Sequence, residues 1–157
     1  MRINLWCIGK TDQQEMLKLI SYYTKRLPKH WNFKLEELPD IKNARNLTPE
    51  ILKKEEAKLF LNQIDSTDLV VILDETGKQF TSRNFAEKID FWMNSSVKRI
   101  HFLIGGAYGF SDEIYARAQE KLSLSAMTFT HQMIRLFFVE QLYRADQILQ
   151  GKPYHND

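Results

Sequence analysis

Cysteine occurs once in the 157 residues, so neither a disulfide nor a Cys-x-x-Cys metal motif is available. Cys7 itself lies in an apolar run and reads as a small buried side chain. Histidine occurs four times, without HExxH or paired Cys/His spacing, which predicts no metal site. No apolar run approaches the roughly 18 residues of a membrane span. Asn4 and Lys10 interrupt the opening stretch before it can serve as a secretory signal, and a cytoplasmic protein with no membrane association is expected. Neither sign of charge dominates: 22 Lys and Arg against 20 Asp and Glu leave +2. That balance does not mark a nucleic-acid binder by bulk electrostatics, although a local patch remains compatible with it. Internal repeats, low-complexity tracts and Gly/Ser linkers are also missing, so residues 1–157 read as a single domain. It is long enough to bury a core without disulfide or metal staples.

What is present is an alternation of strand and helix signals. Apolar alternation over residues 2–8 predicts a strand that Gly9 ends. Asp12 stands where a helix cap belongs, ahead of Met16, Leu17, Ile20, Tyr23 and Leu27 at helical spacing, and Pro28 stops the helix. Residues 33–38 alternate again. Thr48 before Pro49 marks a helix start, because proline at the first helical position gives up an amide that lacked a partner anyway. That helix is expected to run to about Ile64 with Ile51, Leu52, Leu59, Phe60 and Ile64 inward. Residues 68–74 hold an unbroken apolar run, the mark of a central strand covered on both faces. Ser82 is expected to open a third helix burying Phe85, Ile89 and Trp92 or Met93. Residues 100–104 form a fourth strand, Ser111 caps a helix over 112–121, and residues 122–129 form a short extended piece. Thr130 caps a last long helix ending before Gly151. The fold class is therefore α/β, a mainly parallel sheet with helices on both faces, and ligands in such sheets bind beyond the carboxyl ends of the strands.

Glycine is scarce, six in all, yet Gly105, Gly106 and Gly109 crowd between a predicted strand and a predicted helix. This permits close approach of backbone to a ligand. A phosphate-binding P-loop is excluded because no Lys-Ser/Thr pair follows at the required spacing, and a dinucleotide fingerprint because the loop is GGxxG after the fourth strand. Two other strand-end segments, residues 73–78 and 124–129, stand beside it in the expected fold and together would form a slot for a flat adenine-like ring. The last helix is apolar around most of its circumference, which places Phe137, Phe138 or Leu142 in a two-fold interface. Arg135 sits inside that apolar run with no carboxylate three or four residues away. Its partner is either a tertiary carboxylate or a group on the substrate. Arg144 has Glu140 four residues before it and reads as an ion pair. The chain closes on Tyr154 and His155, followed by Asn156 and Asp157.

Taken together, Leu73-Asp74 with Gly77-Lys78, Leu103-Ile-Gly-Gly-x-x-Gly109, Leu124-Ser-x-Met-Thr-Phe129, His131-Gln-Met-x-Arg135, Glu140-Gln-x-Tyr-Arg144 and Tyr154-His155 resemble one family along essentially the whole chain. It is the ribosomal RNA large subunit methyltransferase H family of the SPOUT class. The resemblance implies methylation of N3 of a pseudouridine in 23S rRNA on assembled ribosomes, with S-adenosylmethionine as cofactor. It also implies a homodimer and a C-terminal trefoil knot. Carried over residue by residue, it assigns cofactor contacts to Leu73, Gly105, Leu124, Ser125, Ala126, Met127, Thr128 and Phe129. Methyl transfer from a sulfonium is an in-line displacement that needs alignment more than a covalent intermediate. Arg135, Tyr154 and His155 are the candidate catalytic residues: Arg135 to stabilise the developing oxygen charge, His155 or a water to take the N3 proton. Family members commonly carry a basic side chain after Tyr-His, where this chain has Asn156 and Asp157. Two other classes compete: a nucleotide-dependent transferase using the glycine loop for phosphate, and a ribosome-binding factor without catalysis.

Overall fold

A computed structural model describes residues 1–155; the ending at Asn156 and Asp157 lies outside the described residues. Five strands, β1 (Arg2–Ile8), β2 (Lys34–Leu38), β3 (Leu69–Gln79), β4 (Arg99–Ile104) and β5 (Glu120–Ser123), form one sheet in the order β2-β1-β4-β3-β5. Every pairing is parallel, so each strand must be joined to the next by a crossover. The four crossovers carry α1 (Gln14–Thr24), α2 (Pro49–Leu61), α3 (Ser82–Met93) and α4 (Asp112–Arg117), and α5 (His131–Leu149) follows the last strand. Strand alternation sends Ile3, Leu5, Cys7, Ile100, Phe102 and Ile104 to one face, where Phe85, Ile89 and Trp92 of α3 and Phe138, Val139 and Leu142 of α5 cover them. Trp6, Ile8, Val70, Ile72 and Leu103 point the other way, against Ala57 and Phe60 of α2 and Ile114 of α4. The Phe102 and Phe138 rings, 4.6 Å apart, sit at the centre of the larger layer. Burying either contributes roughly 1.5–3 kcal/mol.

The strand and cap chemistry explains most boundaries. Thr48, Thr81 and Thr130 each accept an amide of the first turn through the side-chain hydroxyl, so the third helix is capped by Thr81, one residue ahead of Ser82. At the start of α1 the N-cap is Gln13 without a side-chain bond, and Asp12 accepts from Gln132 Nε2 at 2.8 Å. Ile51 is 47% exposed, because the inward row of α2 is Leu52, Glu56 and Phe60, with Ala57 beside it. Ser111 occupies the cap position of α4 without making the capping bond. The helix ends at Arg117, not at residue 121, since Ala118 turns extended and Glu120–Ser123 joins the sheet as β5. Phe138 and Leu142 are fully buried within the chain and so belong to its own core, not to a two-fold interface. Phe137 is the one of the three that remains partly exposed.

Candidate functional site

Three segments leave the carboxyl ends of β3, β4 and β5 side by side. In β3 the pairing with β5 jumps, so that Leu73 and Lys78 both oppose Leu122 and residues 74–77 leave the sheet as a bulge. The expected loop over 73–78 is thus an interruption inside a longer strand. Asp74 fixes the bulge by accepting from the Thr76 amide at 2.8 Å and the Thr76 hydroxyl at 2.6 Å. A Cβ at Gly77 would lie 2.7 Å from the Leu122 and Lys121 backbone, a gap that only glycine fits. Beyond β4, Gly109 N–H donates to the Gly106 carbonyl at 3.1 Å and closes the glycine loop. Beyond β5, Ser123 Oγ donates to the Ser125 carbonyl and Met127 N–H donates to Ser125 Oγ, both at 2.9 Å. These bonds hold residues 124–129 in an ordered arc ahead of the Thr130 cap.

The segments enclose a cleft of about 670 Å³, within the range of small-molecule sites. Leu73, Gly105, Leu124, Ser125, Met127, Thr128 and Phe129 all line it, and Ala126 alone of the expected cofactor residues does not. The lining adds Tyr108, Tyr115 and Ile134, which the sequence does not assign to the cofactor, and it includes His131 of the His131-Gln-Met-x-Arg135 motif. Tyr115 had a signal: it lies one turn into the helix that follows the glycine loop, on the side facing Asp74. Its hydroxyl donates to the Asp74 carboxylate. Burial, together with that carboxylate, pushes the Tyr115 phenol up to about 12. Burial also acts to raise Asp74, but its bonds from Thr76 and Tyr115 and the nearby Lys121 outweigh this and hold it below the usual aspartate value. An ionised carboxylate therefore forms part of the wall, with Glu75 beside it, and no Lys or Arg is present among the lining residues. Such a cleft welcomes a cationic or neutral ligand and disfavours a polyphosphate. It adjoins a smaller concavity of about 300 Å³, where Phe80, Phe129 and Phe137 meet Glu140 and Gln141.

The three polar residues expected at the reacting end lie elsewhere than on this lining. Arg135 is 1% exposed and donates to the Ile8 carbonyl at 2.7 Å, to Thr11 Oγ1 at 2.9 Å and to Glu37 at 3.4 Å. The tertiary carboxylate left open by the sequence is thus Glu37, and the guanidinium ties the ends of β1 and β2 to the first turns of α5. Tyr154 and His155 fold back onto α5. Tyr154 Oη donates to Glu140 at 3.1 Å, its ring meets Tyr143 edge-on at 4.8 Å, and His155 Nδ1 lies 3.2 Å from Arg144. Arg144 forms the expected pair with Glu140 at 2.6 Å. His101 of β4 is fully buried beside Asp68 and Asn4 at the opposite end of the sheet. Among the described residues no group of His, Cys, Asp and Glu is arranged to hold a metal ion. No described helix is long and apolar enough to cross a membrane.

Comparison with known proteins matches residues 1–155 to a family model described as a predicted SPOUT methyltransferase. A protein of Christiangramia forsetii named ribosomal RNA large subunit methyltransferase H is 52% identical over 156 residues, covering 99% of both chains. A protein of the same name from Flavobacterium johnsoniae is also 52% identical, again with 99% coverage of each. Among solved structures, a probable methylase family protein from Haemophilus influenzae Rd KW20 superposes with a TM-score of 0.57 at 14% identity. That match covers 99% of this chain and 70% of the other, and it shows a shared fold.

Proposed function

Since the chain belongs to the SPOUT methyltransferases, and within them to the ribosomal RNA large subunit methyltransferase H family, we propose that it transfers a methyl group from S-adenosylmethionine to N3 of a pseudouridine in 23S rRNA of the assembled ribosome. The observation that carries this reading is the cleft: three strand ends, a glycine loop, apolar side chains, an ionised Asp74 and no cation among its lining residues. A sulfonium ligand with an adenine ring fits those walls. A nucleoside triphosphate would find carboxylates where it needs Lys or Arg.

S-adenosylmethionine, when bound, supplies the electrophilic methyl carbon. The chain's own work is to bind and align. Backbone groups of Gly105, Leu124, Ser125, Met127, Thr128 and Phe129 would hold the flat ring, while Asp74 and Glu75 favour positive charge. Arg135 acts as a positioning residue, locking the start of α5 so that His131 and Ile134, one turn before it and directly before it, keep their places in the wall. Tyr154, His155, Glu140 and Arg144 form the polar cluster that meets the RNA base, where His155 or a water accepts the N3 proton. We also propose a homodimer, supported by the partly exposed Phe137 beside Phe129 and by Leu19 and Tyr22 of α1, 48% and 50% exposed. The C-terminal trefoil knot is part of the same proposal, supported by a strand order in which β5 lies beyond β3 and not beside β4. An rRNA-modifying enzyme of this kind works in the cytoplasm. Calorimetry tests the cofactor: S-adenosylhomocysteine should bind in the micromolar range and ATP should not. ATP binding without S-adenosylhomocysteine binding would replace this reading with the nucleotide-dependent one.

A further inference from the structure

On the far side of the glycine loop from the cleft lies a buried acid that the reaction does not use. Glu56 sits on the inward row of α2, between Leu52 and Phe60, and is 6% exposed. Its carboxylate lies close to the Gly106 N–H, which favours the charged form. It also fills the space under that residue: a Cβ built on Gly106 would stand 2.3 Å from Glu56 Oε1 and 2.8 Å from its carboxyl carbon. Gly106 itself faces the cleft on its other side. Burial raises the Glu56 pKa, the Gly106 amide lowers it and Asp40 raises it again, for a net upward shift. No cation is among these influences. A carboxylate on an apolar row, supported by one backbone amide, is a costly choice for stability alone, since a Leu there would pack without desolvation. Local rules broken in this way are expected next to functional sites.

We propose that Glu56 is a positioning residue for cofactor binding, a clamp that fixes the Gly105–Gly106 backbone at the height the ligand requires; this rests on the cofactor reading above. The clamp and the glycine are interdependent. Gly106 has no Cβ because the carboxylate occupies that volume, and the carboxylate in turn meets the polar backbone of the loop away from water. Across the loop Gly106 is bridged to Gly109, and Glu56 supports the same residue from the α2 side.

The test compares the full-length wild type with Glu56→Gln, Glu56→Leu and Gly106→Ala. Three quantities are read: amide exchange at residue 106 in the ligand-free protein, S-adenosylhomocysteine affinity, and KM against kcat for S-adenosylmethionine on ribosomes. Glu56→Leu should speed exchange at Gly106 and weaken affinity and raise KM by roughly tenfold or more, the scale for losing a bond to a charged acceptor, with kcat changed far less. Glu56→Gln keeps an acceptor oxygen of the same reach and should return all three to within about threefold of wild type. Gly106→Ala should raise KM as Glu56→Leu does, because the added methyl displaces the carboxylate; it carries the test if Glu56→Leu fails to fold. Native exchange and native affinity in Glu56→Leu or native KM in Gly106→Ala overturns the clamp. A wild type that binds no S-adenosylhomocysteine overturns the cofactor reading instead, and exchange at residue 106 then still decides whether the clamp exists.

Discussion

Single residues separate binding from support in this molecule. Gly105 lines the cleft directly after β4, and a Cβ there would meet the Gly109 backbone at 3.2 Å. Gly105→Val therefore presses its side chain against the Gly109 backbone and the Phe110 ring and displaces the loop that lines the cleft, so S-adenosylhomocysteine binding should vanish by calorimetry while circular dichroism keeps the α/β signature. Unchanged affinity would remove Gly105 from the site. Arg135 behaves in the opposite way. Its three acceptors are all within the chain, so Arg135→Ala should destabilise by about 2–4 kcal/mol through the stranded Ile8 carbonyl and Glu37. Melting temperature should fall together with methyl transfer. Loss of activity by a hundredfold with a native melting curve would show instead that the guanidinium serves the transition state. The sequence exposed the Arg135 problem, a cation inside an apolar run, but not its answer, because Glu37 lies 98 positions away and no local spacing can announce it. Glu56 was legible in principle, as an acid four residues from both Leu52 and Phe60 on an apolar stripe, while its purpose required the loop to be seen above it.

Elements were legible where a local signal decides them. The alternation of residues 2–8 corresponds to β1 as built, and Thr48 and Thr130 cap the helices they precede. Signals failed where tertiary pairing overrides composition. The polar Asp-Glu-Thr-Gly stretch reads as a turn, yet β3 resumes after it because Lys78 and Gln79 find Leu122 and Ser123 on β5. The four-residue β5 is too short for its own periodicity to appear. Strand ends also carry a polar lock that apolar runs conceal. At the amino ends of β3 and β4, His101 Nε2 lies 3.0 Å from Asp68 and its Nδ1 lies 3.2 Å from the Asn4 amide nitrogen. The ring thus engages Asn4 and Asp68 through its two nitrogens. Burial holds His101 below its ordinary 6.5. Burial also acts to raise Asp68, but the Asp65 amide, Arg99 and His101 outweigh it and hold the carboxyl below 3.8.

Both shifts act with the same sign. The unfolded chain binds more protons than the folded one just below each ordinary value, so stability falls as pH drops below about 6.5 through His101, and again below about 3.8 through Asp68. Thermal melts from pH 8 to pH 3 should show both steps, and His101→Gln should remove the first. A melting temperature that is flat between pH 7 and pH 5 in the wild type would contradict the neutral, buried imidazole.

At the scale of the whole molecule, the parallel α/β architecture followed from strand and helix alternation, and the candidate cleft lies at the carboxyl ends of the strands, where ligands of such sheets bind. A knot is a threading of the chain, and hydrophobic period carries no trace of threading. Assembly was half legible: an apolar α5 signalled burial, and the structure shows that Phe138 and Leu142 satisfy it within the protomer. Phe137 and the exposed Leu19 and Tyr22 of α1 are the surface that the proposed dimer would use. Light scattering at micromolar concentration should give a mass near twice 18.6 kDa, and an 18.6 kDa species would exclude the dimer.

Nucleoside mass analysis of 23S rRNA detects methyl transfer to one RNA position. Ribosomes from cells lacking this protein should contain pseudouridine without the N3 methyl group. Incubating those ribosomes with the purified protein and S-adenosylmethionine carrying an isotopically labelled methyl should restore one labelled N3-methylpseudouridine per 23S molecule. Identical nucleoside profiles with and without the protein, and no transfer of label to the ribosomes, would contradict the account.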